Sequence, residues 1–558
     1  MRPYSSNRLT AETRKAVSRF FVVGVQFIAP WKACRGAMSY ELRPTFHMME
    51  TMLKWVGKLC WRKYSIMADE REVRIQRLHT LREQGIEPYP NSAGRTHTIT
   101  GVLAHFDEWQ GPEGSFTLVG RLRLQRDMGK STFAQIEDGS GRIQIYYRIN
   151  DMDEDVYRAM KLLDVGDFIQ VTGFLFLTRT GERTLHVKDF RLLSKGLRPL
   201  PEKYHGLEDK ETRQRKRYLD LIANGDEARQ VFVTRSRVIS AMRRYLDEHG
   251  FIEVETPVLQ PLYGGATARP FVTHHNTLDR DLFLRIAVEL YLKRLIVGGF
   301  ERVYEIGRDF RNEGIDRSHN PEFTMMECYQ AYADYEDIMK LVEEMIHYIA
   351  LEVKGTPLIT YQGTEIDLTP PWPRIRLLDA IAEFTGIDVN RFPDRDSLAA
   401  EMRANGYEVD PTFGRGRLID ELKSGMLRKN IPALKQALFL TDYPLDISPL
   451  AKTHRAEPEL AERFQPFIGG LECGNAFTEL NDPLDQRHRF EDQSRQRAQG
   501  DEEAQPLDED FLEALEIGMP PTGGLGIGID RVVMLMTDQE SIRDVILFPT
   551  MRKTAEEQ

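Results

Sequence analysis

Between residues 98 and 194 the chain alternates apolar and polar positions in short runs, among them FTLVGRLRLQRD, STFAQIE and FIQVTGFLFL. A period of two puts successive side chains on opposite faces of a strand, so these runs predict half-buried strands. DGSG at 138–141 and RTGER at 179–183 fall between runs and predict hairpin turns. A helical crossing is predicted over Asp155–Leu163, and about five strands with one such crossing make a small barrel of the OB type. Before it, 67–85 reads as a charged amphipathic helix stopped at Gly85, and a loop rich in Pro, Asn and Gly follows at 87–94.

The pattern changes after LRPLPEKYHG (197–206), where two prolines and a glycine resist both helix and strand. A helical period then runs from Val231 to His249, with Val238, Met242, Tyr245 and Leu246 on one side and Gly250 as its stop. FIEVETPVL (251–259) alternates as a strand and closes at Pro257. Long helices and strands alternate without a βαβ repeat from there on, and the last turn, GGLGIGIDR, is glycine-rich. The predicted fold class is α+β: an N-terminal OB-type barrel followed by an antiparallel-sheet domain. The predicted segments are a basic extension at 1–66, a helix plus barrel at 67–198, a linker at 199–217 and the larger domain at 218–558.

Composition adds constraints. The 558 residues are 41% hydrophobic and 29% charged, the profile of a water-soluble globular chain. Net charge is −11, so any nucleic-acid contact needs a local basic surface. Residues 1–66 hold twelve Lys/Arg against three Asp/Glu, leaving −20 for the rest, together with three of the five tryptophans. Two readings of that extension stand: an organelle transit leader, or a start placed upstream of a true initiator at Met67. The four cysteines are scattered without a C-x-x-C pair, which points to a reducing, cytoplasmic setting rather than a zinc or disulfide framework. No apolar run is long enough to span a membrane.

Candidate chemistry concentrates in three places. In 301–335 a β-run leads to Arg308, Arg311 and Glu313, then a polar turn with His319 and Asn320, then a second β-run. Its alternation puts Phe323, Met325, Glu327 and Tyr329 on one face. A guanidinium for phosphate, an aromatic face for a purine and carboxylates for an ammonium would converge there. In 469–483 alternation groups Cys473, Asn475, Phe477 and Glu479, with Glu472 and Gly474 opposite. In 524–531 glycines spaced by two permit close backbone approach, and Arg531 opens a helix. In the barrel, a strand face carrying Arg121, Arg123, Phe133 and Gln144 could meet single-stranded nucleic acid. The run RQRKR (213–217) is a solvated face or a backbone contact for RNA. No P-loop or Rossmann fingerprint occurs in a suitable context, so a nucleotide would have to be bound by another architecture.

These segments are similar to those of a known family. FRNEG…HNPEF (310–323) resembles motif 2 of class II aminoacyl-tRNA synthetases, GLGIGIDR resembles motif 3, and the 231–259 helix and strand with Pro257 resemble motif 1, the dimer-forming element. THHNTLDRDLFLRIAVELYLKRLIVGG and HNPEFTMMECYQAYADY resemble the bacterial lysyl-tRNA synthetases in particular, over roughly 67–552. The resemblance implies a lysine–tRNA ligase, homodimeric through motif 1, that uses ATP, L-lysine, tRNA(Lys) and Mg²⁺. It implies catalytic roles for Arg311, Glu313 and Arg531. Nucleotide contacts would come from Arg311, Glu313, His319, Asn320, Phe323, Glu472 and Arg531. Lysine contacts would come from Gly265, Glu289, Arg311, Glu327, Tyr329, Asn475, Phe477 and Glu479. Metal contacts would come from Glu472 and Glu479, and anticodon contacts from Phe133 and Gln144. One departure stands out: Gln465 occupies a position where the family places a glutamate for Mg²⁺. The competing readings are a synthetase for aspartate or asparagine, a barrel-less relative that lysylates a translation factor, and a non-catalytic paralogue. Glu479 argues against the first, the barrel against the second, and Arg311 with Arg531 against the third.

Overall fold

The computed structural model describes residues 69–201, 207–411, 413–429, 431–498 and 505–554. The basic extension 1–66 and the linker segment 202–206 therefore lie outside the described residues. The chain divides into two compact units, one ending at Leu200 and the other beginning at Pro201.

In the first unit a helix over 69–83 precedes five strands: β1 (Phe116–Asp127), β2 (Ser131–Glu137), β3 (Arg142–Arg148), β4 (Phe168–Leu177) and β5 (Arg183–Ser194). They close into a barrel in the order β1-β2-β3-β5-β4. The crossing helix is Glu154–Met160, shorter than the apolar period suggested, and Asp153 caps it by accepting the N–H groups of Asp155 and Val156. The expected alternation is present: Ala134, Ile136, Ile143, Ile145, Leu175 and Leu185 fill the interior. Each such isoleucine or leucine burial is worth about 1.5–3 kcal/mol.

The second unit is built on a nine-stranded sheet. Its strands are β6 (Ile252–Glu253), β10 (Arg302–Phe310), β11 (Glu322–Ala331), β14 (Arg374–Arg376), β15 (Leu438–Pro444), β16 (Leu460–Ile468), β17 (Leu471–Glu472), β18 (Gly474–Thr478) and β19 (Thr522–Gly528). The order is β14-β15-β16-β18-β19-β11-β10-β6, with β17 also on β16. Separate small sheets hold β7 (Leu259–Gln260), β8 (Val272–His275) and β9 (Arg280–Leu284), and β12 (Leu358–Tyr361) with β13 (Thr364–Asp367). The helices Gly225–Glu248, Tyr335–Lys354 and Ile529–Thr537 pack with one face of the large sheet into the main core. Val238, Met242, Tyr245 and Leu246 are all buried there, as their spacing predicts. That first helix begins six residues before Val231. GDEARQ carries no apolar period, but Asp226 and Glu227 suit the positive end of a helix dipole.

Two expectations are corrected. The single strand 251–259 is instead two two-residue strands, β6 and β7, on different sheets, and between them the Thr256 N–H and hydroxyl turn to a buried carboxylate, Glu305. The basic run 213–217 is not an open cationic face. Arg213 and Arg217 both clamp Asp220, at 2.7 and 2.6 Å, Arg217 also donates to the carbonyls of Arg543, Leu547 and Ile546, and Arg215 pairs with Glu211.

Candidate active site

Register brings the site together. Across the large sheet Val303, Tyr329, Gly524, Phe477 and Arg463 form one cross-strand row. Glu305, Glu327, Gly526 and Asn475 form the next. A cavity of about 260 Å³ opens over these rows. It is lined by Gly265, Ala287, Glu289, Arg311, Met325, Glu327, Tyr329, Arg463, Gln465, Glu472, Asn475, Phe477, Glu479, Gln505 and Gly524–Gly526, with neighbouring backbone. The alternation of 323–329 is kept: Met325, Glu327 and Tyr329 face the cavity, while Met326 and Cys328 enter the core.

The face assigned to 472–479 is different from the expected one. Cys473 lies in the apolar core, and Glu472, Asn475, Phe477 and Glu479 all line the cavity. The cause is a break at Cys473: β17 ends at Glu472 and β18 starts at Gly474, so parity shifts by one across the junction. Gly474 tolerates the shift because a Cβ there would stand 2.4 Å from the Gly526 carbonyl.

The glycines of β19 have a specific task. A Cβ on Gly524 would overlap Glu479 Oε1 at 1.8 Å and Tyr329 Cε1 at 2.6 Å. The bare strand thus lets those two side chains lie across it and reach the cavity. Gly265 has φ +86°, and its Cβ would crowd Glu289 Cβ at 3.0 Å.

Arg311 follows β10. Its Nε donates to the Ile286 carbonyl at 3.4 Å, and its guanidinium stands 5.0 Å from the Phe323 ring centroid. Phe323 is therefore tied to Arg311 rather than to the cavity wall. The loop after Arg311 does not enter the cavity: Glu313 and His319 are exposed, and His319 Nδ1 contacts Asp316 at 2.7 Å. Asn320 is buried, donating to the Glu322 carbonyl at 2.7 Å while its Oδ1 has no partner. Arg531, at the first turn of Ile529–Thr537, donates to the Glu472 carbonyl at 2.5 Å and stands 3.8 Å from its carboxylate.

Two buried nodes hold the arginine-bearing segments in place. Arg285 pairs with Glu305 and, at 3.2 Å, with Asp309, and donates to the carbonyls of Thr256 and Arg308. Glu305 in turn accepts the Thr256 N–H at 3.0 Å and its hydroxyl at 2.7 Å. Arg235, on the long helix, reaches Asp530 at 2.5 Å and Thr324 Oγ1 at 2.8 Å, and Asp530 accepts the Thr324 N–H at 2.7 Å. The segments resembling motifs 1, 2 and 3 are thus joined by charge-assisted bonds immediately behind Arg311 and Arg531.

The acidic floor is strongly enclosed. Burial, with the nearby Asp309 and Glu289 carboxylates, pushes Glu327 up to about 8. Tyr329 donates to Glu327 at 3.0 Å, and its own hydroxyl is raised by burial. Burial also raises Glu289 and Glu479, against the opposing charge of Lys293. Lys293 is the residue that sequence reasoning missed. In ELYLK it reads as an ordinary i,i+4 partner of Glu289, yet its ammonium is wholly enclosed between Glu289 and Glu479. Arg463 was also missed; it donates to Asn475 Oδ1 at 2.8 Å.

Glu327 yields a stability prediction. Its folded value, about 8, lies above the ordinary 4.5, so the folded state keeps a proton that the unfolded state releases. Its contribution is fully present below the unfolded value and is lost as pH rises through the folded one. Urea midpoints measured from pH 6 to 9 should therefore fall more steeply in the native chain than in Glu327→Gln. Parallel curves would remove the assignment.

The donor set tests the fit of a metal. Gln465 Oε1 already accepts from Tyr443 at 2.6 Å and Lys423 at 3.2 Å. Glu479 is held by Lys293, which sets aside its expected role as a metal ligand. No group of three His, Cys, Asp or Glu able to cage a cation occurs among the described residues. Glu472, partly exposed beside Arg531, is the carboxylate left. The residues fit an ion carried in on a polyphosphate and touched by Glu472, not a preformed protein cage.

On the barrel, Phe133, Tyr146, His186 and Phe174 form an outward cross-strand row. Ring centroids are 4.8 Å apart for Phe133–Tyr146, 5.2 Å for Tyr146–His186 and 4.8 Å for His186–Phe174. Gln144 donates to Thr184 Oγ1 at 2.9 Å beside this row. Arg121 lies 4.1 Å over Phe168, and Arg123 is buried against Glu137 at 2.9 Å, so its charge is already matched. The aromatic row, rather than these arginines, is the feature suited to bases.

Comparison with known proteins agrees with this geometry. Residues 209–552 match the family described as tRNA synthetases class II (D, K and N), and 116–193 match the OB-fold nucleic acid binding domain. A lysine–tRNA ligase of Moorella thermoacetica is 53% identical over 488 residues, covering 88% of this chain and 99% of its own length. One from Chloroflexus aurantiacus is 55% identical over 491 residues, with the same coverage. With both units matched in their expected order, and with relatives this similar along nearly their whole length, the chain belongs to the class II tRNA synthetases, among the lysine–tRNA ligases.

Proposed function

We propose that this chain activates L-lysine with ATP to lysyl-adenylate and pyrophosphate, then transfers the lysyl group to the 3′ end of tRNA(Lys). The observation that carries the choice of amino acid is the acidic floor: Glu289, Glu327 and Glu479 line one cavity together with Arg311. A substrate with two ammonium groups and one carboxylate matches that distribution, and an acidic side chain would meet three carboxyls. The carboxylate of lysine attacks the α-phosphorus, the bond to the β-phosphate oxygen breaks, and no enzyme nucleophile takes part. Arg311 binds the carboxylate and α-phosphate and offsets the charge that develops there. Arg531 takes the terminal phosphate, Phe323 stacks under adenine, and Glu313, His319 and Asn320 close around the nucleotide when the 311–321 loop folds over it. Glu472 would hold the Mg²⁺ that accompanies ATP, and that ion would supply further charge neutralisation. In the adenylate the lysine keeps its place, and the terminal ribose hydroxyl of tRNA attacks its carbonyl carbon and expels AMP.

The setting is the cytoplasm, and the working form is a homodimer. No described helix is long and apolar enough to cross a membrane. Ile252, Val258, Leu259 and Val272 are 51, 40, 46 and 59% exposed around the segment resembling motif 1, an apolar strip suited to a second copy.

The barrel reads the anticodon through its aromatic row. Phe133→Ala should raise the KM for tRNA(Lys) in aminoacylation about tenfold, the scale of one lost base stack, with lysine-dependent ATP–pyrophosphate exchange unchanged. An unchanged tRNA KM would take Phe133 out of the interface. Gln465→Glu should lower the Mg²⁺ concentration giving half-maximal exchange, since it adds a carboxylate at the cavity wall. An identical Mg²⁺ profile would place Gln465 outside the phosphate site.

A further inference from the structure

Lys293 is 0% exposed, one helical turn below Glu289 on the helix Glu289–Val297. Its ammonium contacts Glu289 Oε1 at 2.5 Å and Glu479 Oε2, and stands 5.5 and 5.9 Å from the ring centroids of Phe477 and Phe511. Both Glu479 oxygens are buried; Oε2 faces the Lys293 ammonium, Oε1 has no hydrogen-bond partner among the described residues, and Glu289 and Glu479 both line the cavity. The lysine therefore stands behind the two carboxylates, engages one oxygen of each and leaves the cavity side to a ligand. The other charged or titratable groups facing them are Glu327 and Tyr329 from β11 and Arg463 from β16.

We propose that Lys293 is a positioning residue that sets the charge and spacing of Glu289 and Glu479, and so makes the pocket selective for an amino acid bearing a second ammonium group. The inference rests on the lysine pocket proposed above. Two carboxylates enclosed this deeply repel each other and lose solvation; without a resident cation they would share a proton. A pocket whose acid is protonated gains little from a substrate ammonium and tolerates a neutral side chain. Lys293 opposes the effect of burial and so favours the carboxylate form of Glu479, whose free oxygen a cation or a strong donor satisfies and a neutral chain of the same length leaves unpaired.

The test compares L-lysine with L-norleucine, which is nearly isosteric and lacks the ε-ammonium, in ATP–pyrophosphate exchange by the full chain. The quantity read is the ratio of their kcat/KM values, which is independent of the fraction of enzyme that is folded. Lys293→Met should lower the lysine-to-norleucine ratio about 30-fold or more, with the KM for ATP within about twofold of the native value. Lys293→Gln, whose amide can still bond Glu289, is measured alongside in case methionine at this enclosed position prevents folding, and the same fall is expected. A ratio unchanged in whichever variant folds, even with activity lowered, would show a merely structural ion pair and overturn the proposal. Glu479→Gln separates the two levels: if it collapses the ratio and the Lys293 variants do not, only this inference fails. If Glu479→Gln leaves the ratio intact, the pocket assignment itself fails.

Discussion

Arg311→Ala should lower kcat for lysine-dependent ATP–pyrophosphate exchange by about a thousandfold, the range seen when one charge-bearing donor is removed from a transition state. The guanidinium lies at the meeting point of β10, the 311–321 loop and the cavity, steered by the Ile286 carbonyl and the Phe323 ring. In the proposed reaction it is the cation where the attacking carboxylate and the α-phosphate meet. Arg311→Lys should recover little of the loss, because a point charge cannot span two oxygens as a planar fork does. The variant should keep its melting temperature to within a few degrees, since Arg285 and Glu305, not Arg311, carry the buried bonds behind it. A loss under tenfold would remove Arg311 from the reacting centre.

The second large effect is on lysine itself. Glu479→Gln should raise the KM for lysine about a hundredfold or more and leave the KM for ATP within about threefold. The reason is local: Glu479 is 1% exposed, lines the cavity, and has its Oε1 over the bare Gly524 backbone with no hydrogen-bond partner among the described residues. An amide there cannot balance an ammonium taken out of water. The split between the two KM values is the diagnostic feature, because general unfolding would not distinguish lysine from ATP. Exchange kinetics at saturating concentrations of each partner measure it, and an unchanged lysine KM would displace Glu479 from the pocket.

Much of this arrangement is written in local patterns. The barrel follows from period-two runs and hairpin turns, and the faces of 323–329 follow from strict alternation, because nothing interrupts β11. The order of elements resembling motifs 1, 2 and 3 is equally plain. What escapes is whatever depends on contacts between distant residues. The parity shift at Cys473 is invisible, since a sequence does not announce where one strand ends and the next begins. Lys293 looks like a surface i,i+4 partner until Glu479, far along the chain, is brought to its other side. Arg213 and Arg217 look solvated until Asp220 is seen between them. Gln465 is legible as a departure, but its engagement by Tyr443 and Lys423 emerges only in the fold. In the barrel, the sequence places Phe133 and Gln144 on a face with Arg121 and Arg123, whereas the row joining Phe133 to Tyr146, His186 and Phe174 needs the strand order β2-β3-β5-β4.

In the proposed function the acidic floor selects lysine for activation by ATP. That selection is tested most directly by ATP–pyrophosphate exchange with the purified full chain, offered lysine, aspartate and asparagine separately at equal concentration. Exchange should depend on lysine and exceed that with aspartate or asparagine by about 10³-fold or more, as expected when a mismatched side chain leaves buried carboxylates unpaired. No exchange with lysine, or comparable exchange with aspartate, would contradict the account.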